Sequence, residues 1–286
     1  MAITLRVTAL LAALMPIGVP ALADPQGFSL RFIDRTKVYN RDAGLTEASG
    51  VTLSAAGDRL WVVSDDTKKV FGLSLDGDID TSFDLNSSDL EGIAVGEGVF
   101  VTVAENGNLV QLIDSATREL QISARITDLP IDAELKAKLS TIDKENGLEG
   151  VTIDRATGMV FVAVETDPRL LLRLTPDLDR ITNYWELTSD AGFRIKGLSD
   201  AELDISGLEH DPRDGHLWIV SDRGKSVFRF DPRLGNASSA PLIFQKDGES
   251  KRVKNAEGIA FDPARGRIYI VTDQGKKSRL YTFQVE

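Results

Sequence analysis

The feature that most constrains this chain is a two-part phrase carried five times. The first part reads EASGVTL at 47–53, DLEGIAV at 89–95, GLEGVTID at 147–154, DISGLEHD at 204–211 and NAEGIAFD at 255–262. A turn follows, then a second apolar run: RLWVVSD, VFVTVAE, MVFVAVE, HLWIVSD and RIYIVTD. Sixteen positions separate the residue before the motif glycine from the acid ending the second run in four copies: Ser49 with Asp65, Glu149 with Glu165, Ser206 with Asp222, Glu257 with Asp273. The remaining copy, Glu91 with Glu105, is two shorter because its turn is clipped to VGEGVF. Chance similarity does not hold so constant an offset, so each copy is one supersecondary unit.

Each unit reads as an antiparallel hairpin. β-branched and aromatic residues are dense in the runs, and the links AAGD, RATG, PRDG and PARG pair glycine with polar residues. A third run follows in every unit (VFGLSL, LVQLID, LLRLTP, SVFRFD, RLYTFQ). A fourth precedes the next motif in four of them (DTSFDL, LQISARI, TNYWEL, PLIFQK). The fold class is therefore all-β, a five-bladed β-propeller, with six blades as the alternative if one blade is concealed. The last unit stops after its third strand and would leave an open edge. The segment at 28–40, FSLRFIDRTKVYN, has strand composition and is expected to supply the missing fourth strand. Two insertions interrupt the ring. Residues 130–146 have helical spacing at Ile131, Leu135 and Leu139, whereas 188–203 are mixed.

Residues 1–23 resemble a secretory leader: Arg6, an apolar run broken by Pro16, Gly18 and Pro20, and a small-x-small end at Ala21-Leu22-Ala23. We expect a signal peptide at 1–23 and a single propeller domain at 24–286, periplasmic or secreted after cleavage, in preference to inner-membrane anchoring through 1–23. Cysteine is absent from all 286 residues and only His210 and His216 occur, which excludes disulfides, thiolate metal sites and a three-histidine centre. With 33 Lys and Arg against 44 Asp and Glu, the net charge is −11, and no long basic run exists to neutralise phosphates of a nucleic acid. No P-loop, G-x-G-x-x-G or G-x-S-x-G phrase is present, so no organic cofactor is expected.

In a propeller the innermost strand runs down the channel and the second returns, so the start of one and the end of the other share a face. The recurrent acids occupy those two places. The channel-mouth set is Ser49, Glu91, Glu149, Ser206 and Glu257, with Glu47, Asp89 and Asp204 just before. The return set is Asp65, Glu105, Glu165, Asp222 and Asp273. Crowded carboxylates repel and call for a cation, basic partners or protons. Oxygen donors without His or Cys favour a hard ion, Ca²⁺ or Mg²⁺. The candidate metal ligands are Glu91, Glu149 and Glu257. Asp222 and Asp273 are the catalytic candidates, and Ser49, Asp65, Glu105, Glu165, Ser206, Arg223 and Lys225 the ligand-binding ones. The other reading of the return acids is that they turn loops or tie blades together. Basic residues after them (Lys68, Lys69, Arg169, Arg223, Lys225, Lys276, Lys277) should rim the same face, as local salt bridges or as the seat of an anion. His210 and His216 should lie away from it. The run at Asp76, Asp78 and Asp80 starts like a calcium loop but lacks its glycine and closing glutamate, and reads as an acidic turn.

The phrases GLEGVTI, DISGLEHDPRDGHLWIVSDRGKSVFRF and NAEGIAFDPARGRIYIVTDQG resemble the SdiA-regulated, YjiK-like family of exported bacterial proteins, from about Phe28 to the end. The SGL…SDRG phrase is similar, less closely, to esterase-like phytase propellers. The first resemblance implies a five-bladed propeller with an ion or ligand site at the axis, and by match of motif it points to Glu149, Ser206 and Glu257. Ser49 and Ser206 stand where the other repeats carry Glu, so any ligand ring is asymmetric. Two functions are then open. One is a monomeric binding or scaffold module with a divalent-cation site, meeting a small anionic ligand or an envelope protein. The alternative is a metal-dependent hydrolase of phosphoesters, esters or lactones.

Overall fold

The computed structural model describes residues 27–85, 87, 89–105, 107–142 and 147–286. The leader at 1–23 lies outside them. Five four-stranded antiparallel sheets form a ring, each built in the order innermost to outermost. The first blade comprises Ala48–Leu53, Leu60–Ser64, Lys69–Leu73 and Ile79–Asp84. The second comprises Leu90–Val95, Val99–Ala104, Leu109–Asp114 and Leu120–Arg125. The third comprises Leu148–Ile153, Val160–Val164, Leu170–Leu174 and Ile181–Glu186. The fourth comprises Gly207–His210, Leu217–Ser221, Ser226–Asp231 and Asn236–Pro241.

The fifth blade joins the two ends of the chain. Ala256–Asp262, Arg267–Thr272 and Arg279–Val285 are followed outward by Leu30–Lys37, which pairs antiparallel with the third strand from Leu30 opposite Val285 to Lys37 opposite Arg279. Ser29 and Glu286 exchange both backbone hydrogen bonds, at 2.9 and 3.0 Å. The edge that the last unit would otherwise expose is thereby covered.

Burial follows position in the blade. The inner strand Ala48–Leu53 is buried at every residue because neighbouring blades cover both its faces, whereas the outermost Ile79–Asp84 is mostly exposed or half-buried. The inner strands meet so closely that the motif glycines have no room for a side chain. A Cβ on Gly50 would stand 2.7 Å from the Glu91 carbonyl oxygen, one on Gly207 would stand 2.8 Å from that of Glu257, and one on Gly258 would stand 2.7 Å from the Val51 nitrogen. Glycine is thus a packing requirement of the ring, closing back from blade five to blade one.

The fourth blade departs from the sequence reading. Its outer strand is Asn236–Pro241, not PLIFQK; Ile243–Lys246 instead pairs with Glu249–Arg252 in a separate two-stranded hairpin. The turn at Asp231 to Gly235 sends the chain straight back, with the Asp231 carboxylate accepting Arg233 N at 2.9 Å and Gly235 at φ +68°, so the partner positions are filled before Phe244 is reached. Phe244 then packs against blade five, with ring centroids 5.1 Å from Tyr281 and 6.1 Å from Phe32.

The two insertions also serve the core. Ala133–Leu139 is a short helix whose N-terminus is capped by Asp132, accepting Leu135 N at 2.8 Å, and Leu135 and Leu139 are buried between blades two and three. Residues 188–203 form turns that bury Phe193 and Leu203. Arg169 fastens them: its guanidinium donates to the carbonyls of Leu187 and Leu203, both at 2.9 Å, and pairs with Asp200 at 2.9 Å. Arg169 is only 3% exposed and therefore does not rim the acidic face as expected.

Candidate functional site

The acid positions converge through a repeated backbone device. In four blades the amide of the return-strand acid donates to the carbonyl just ahead of the inner strand: Asp65 to Glu47, Glu105 to Asp89, Glu165 to Gly147 and Asp273 to Asn255, all within 3.0–3.2 Å. In the fourth blade the Asp222 amide donates to Ser206 Oγ at 3.0 Å. Both sets consequently stand at one end of the ring. The inner strands carry an extra residue at that point in blades one, two, three and five, where the pairing register slips across Ser49–Gly50, Glu91, Glu149 and Glu257. Such a bulge redirects a side chain that regular alternation would turn elsewhere.

Glu91, Glu149 and Glu257 line the narrow axial space above the glycines, a cavity of about 10 Å³, the size of one water. Burial lifts the Glu91 carboxyl to about 8, and the charges of Asp65, Glu105 and Glu257 add to the effect against a hydrogen bond from Ser49. Burial likewise lifts Glu257 to about 8, with Asp222, Asp204 and Asp273 nearby. Glu149 is pushed up well above the usual range by burial and then by Glu91, Glu165 and Glu257. Burial takes Glu165 to about 7 although Arg223, 3.7 Å away, opposes the rise. Asp65 and Glu47 are raised as well, Glu47 to about 6. No Lys or Arg forms an ion pair with Glu91, Glu149 or Glu257 among the described residues.

Other candidates are committed to the scaffold. Asp222 accepts the amides of Asn255 and Ala256, so its carboxylate ties blade four to blade five. Asp273 accepts the Gly275 amide at 3.0 Å. Asp204 holds Ser221 and the Arg223 amide, and Lys225 Nζ donates to the Asp222 carbonyl at 3.3 Å. Among the described residues no three acidic or histidine side chains stand together as ligands of a single ion. The glutamates share a field without yet sharing a coordination centre.

Below the glycines lies a layer that sequence reasoning missed. Two positions after each motif glycine the repeats carry Thr52, Ala94, Thr152, Glu209 and Ala260. Glu209 is buried there and accepts Thr52 Oγ1 at 2.9 Å and Thr152 Oγ1 at 3.1 Å, plus the His210 amide at 3.2 Å. Burial holds its carboxyl near 7, with Arg155 and these donors pulling the other way. Further down, Arg155 donates to the carbonyls of Val95 at 2.9 Å and Leu53 at 2.7 Å, joining blade three to blades two and one. A pocket of about 490 Å³ opens at this second mouth, with Arg155, Glu209, His210, Phe261 and Arg265 on its lining. His210 is thus on the face away from the acids, as expected, stacked on Phe161 with centroids 6.3 Å apart. The available signal was an acid on an inward position that the other repeats give to Thr or Ala.

A family model described as SdiA-regulated matches residues 35–284. Among solved structures, a glutaminyl cyclase from Myxococcus xanthus superimposes with a TM-score of 0.62 at 13% identity, covering 92% of this chain and 99% of that one. At that identity the likeness is one of fold. No helix among the described residues is long and apolar enough to cross a membrane.

Proposed function

The chain belongs to the SdiA-regulated family, and from that premise we propose that it is a ligand-binding propeller whose acidic mouth takes up a divalent cation, Ca²⁺ ahead of Mg²⁺. The observation that carries this reading is the trio Glu91, Glu149 and Glu257: half-buried, mutually repelling, and without a basic ion-pair partner among the described residues. Such a trio holds protons or a cation at neutral pH. Its donors are oxygens alone, which suits a hard ion. The side chains would have to close further to share one centre, and Ca²⁺ tolerates irregular geometry and water ligands better than Mg²⁺. The reading includes export after removal of 1–23, a monomeric state, and a small anionic ligand or envelope protein as counterpart.

The test is a thermal melt of the chelated protein with Ca²⁺, Mg²⁺ or nothing added back. An ion that binds only the folded state raises the midpoint, by several degrees at saturating concentration. The rise should vanish in Glu149→Gln and Glu257→Gln. No rise with either ion sinks the proposal.

A second reading, metal-dependent hydrolysis of a phosphoester, ester or lactone, is favoured by Glu165. Its carboxyl titrates near 7 beside Arg223, at the same mouth, which suits a general base next to an anion-binding group. The structural neighbour is an enzyme by name, so this ring can carry catalysis elsewhere. A screen of those three substrate classes, with Glu165→Gln as the control that must abolish turnover, decides it.

A further inference from the structure

The hairpin formed by Ile243–Lys246 and Glu249–Arg252 belongs to no blade, yet it is firmly seated. Leu242, Phe244 and Val253 are buried in one cluster with Tyr281 and Phe283 of blade five. Where it leans on that blade it walls a cleft of about 420 Å³, well within the range that holds small ligands. The lining is cationic. Lys246, Lys251, Arg252 and Lys254 come from the hairpin and its exit, and Arg35, Lys277 and Arg279 from blade five. Phe244, Tyr281 and Gln274 complete it, and no acidic side chain lines it.

Seven cations around one cleft are unexpected in a chain of net charge −11. Like charges so placed repel, and the cost is lowest when an anion lies among them. The internal partners are few. Glu249 pairs with Lys251 at 3.0 Å, while Lys246, Lys254 and Lys277 form no ion pair among the described residues. The arginines are already positioned. Arg35 lies over the Phe244 ring at 5.1 Å, Arg279 donates to the Ser278 carbonyl at 2.9 Å, and Arg252 donates to the Lys225 carbonyl at 3.3 Å. Each keeps further N–H groups for an incoming oxyanion, and guanidinium groups held in place lose little freedom on binding one.

We propose that this cleft binds a ligand bearing two or more phosphoryl groups, with Arg35, Arg252 and Arg279 as fixed donors and Lys246, Lys254 and Lys277 as mobile ones. The cleft shares no lining residue with the axial cavity, although Gln274 and Lys277 follow closely on Asp273, and its binding does not require an ion at the axis. The same chemistry could come from a soluble phosphorylated metabolite or from the headgroups of an anionic lipid surface.

The experiment uses chelated protein and two probes, so that loss of any axial ion cannot be mistaken for the effect. Tripolyphosphate titrated by calorimetry should bind, and more weakly as salt rises. The triple variant Lys246→Glu/Lys254→Glu/Lys277→Glu should weaken binding at least about tenfold with its melting midpoint unchanged, because all three side chains are exposed. The control Lys136→Glu/Arg194→Glu/Lys196→Glu makes the same charge change elsewhere and should leave affinity within about threefold. In the unsubstituted protein, tripolyphosphate should protect Lys246, Lys254 and Lys277 from amine acetylation while Lys136 and Lys196 continue to react. Co-sedimentation with vesicles of phosphatidylglycerol and phosphatidylcholine, against phosphatidylcholine alone, separates the sources. Binding to tripolyphosphate and to anionic vesicles assigns the headgroups of a lipid surface, and binding to tripolyphosphate without the vesicles assigns a soluble ligand. Failure to bind tripolyphosphate, or equal loss in both triples, overturns the proposal.

Discussion

Glu209 of blade four accepts the Thr52 hydroxyl of blade one at 2.9 Å, so a single carboxyl bonds across the ring axis as well as to its neighbour Thr152. This contact makes the channel a filled, hydrogen-bonded layer. It also makes one inner-strand side chain responsible for polar groups on three blades.

Replacing Glu209 therefore strands its partners. Glu209→Leu leaves two buried hydroxyls without their acceptor, while the His210 amide keeps Thr152 Oγ1 at 2.9 Å, and should cost about 2–4 kcal/mol of stability. Glu209→Gln keeps an acceptor oxygen and should cost less than half as much. Urea denaturation of the two variants beside the parent protein measures the difference, and equal losses would show that the volume of the side chain, not its bonding, matters here.

The raised carboxyls fix the direction of the pH dependence. Glu91 and Glu257 titrate near 8 and Glu165 and Glu209 near 7 in the folded chain, against about 4.3 when unfolded. The folded state thus binds these protons more tightly. Their contribution to stability is complete below the unfolded value and is lost as pH rises through about 7 to 8. Ion-free protein should melt higher near pH 5.5 than near pH 8.5, roughly the two sides of that transition. Glu91→Gln/Glu149→Gln/Glu257→Gln should flatten the slope, and a steeper slope in the variant would contradict the assignment.

Steric contact at the axis gives a sharper test of ring closure. Gly258→Ala places a Cβ 2.7 Å from Val51 N and 2.8 Å from Val271 Cγ2, and should cost about 2–3 kcal/mol. Gly215, at φ +77° with open space around it, should cost only about 1 kcal/mol on the same change. Thermal melts of the two variants compare strain at the axis with strain in a turn.

Removal of residues 27–37 should leave Arg279–Val285 as a bare edge. The truncated protein is expected to self-associate, visible as higher-order species in size-exclusion chromatography with light scattering. A monomer with an unchanged melt would show that the fifth blade holds without its outer strand.

The ring was legible because a fixed offset between Glu149 and Glu165, repeated at Ser206 and Glu257, survives whatever the intervening turns do. The acidic mouth was legible for the same reason: the acids fall at the two strand ends that share a face. The bulges at Glu91, Glu149 and Glu257 were not, because an extra residue in a strand shows only in its pairing. The hairpin at 243–252 was misplaced because PLIFQK has better strand composition than NASSAP, yet the tight turn before Asn236 decides which segment pairs. Arg155 could not have been singled out either. It sits in the turn phrase RATG, and its reach to Leu53 and Val95 exists only once three blades have come together.

The pairing of Leu30–Lys37 with Arg279–Val285 sets the order in which the molecule can be finished. Each of the first four blades is continuous in sequence and can form as soon as its own strands exist. The fifth must wait for Arg279–Val285, and its closure bears the entropy of a loop spanning the four other blades. The seam is then the last part to assemble and the first place the ring opens, so amide hydrogens along Leu30–Lys37 should exchange sooner than those of the inner strands.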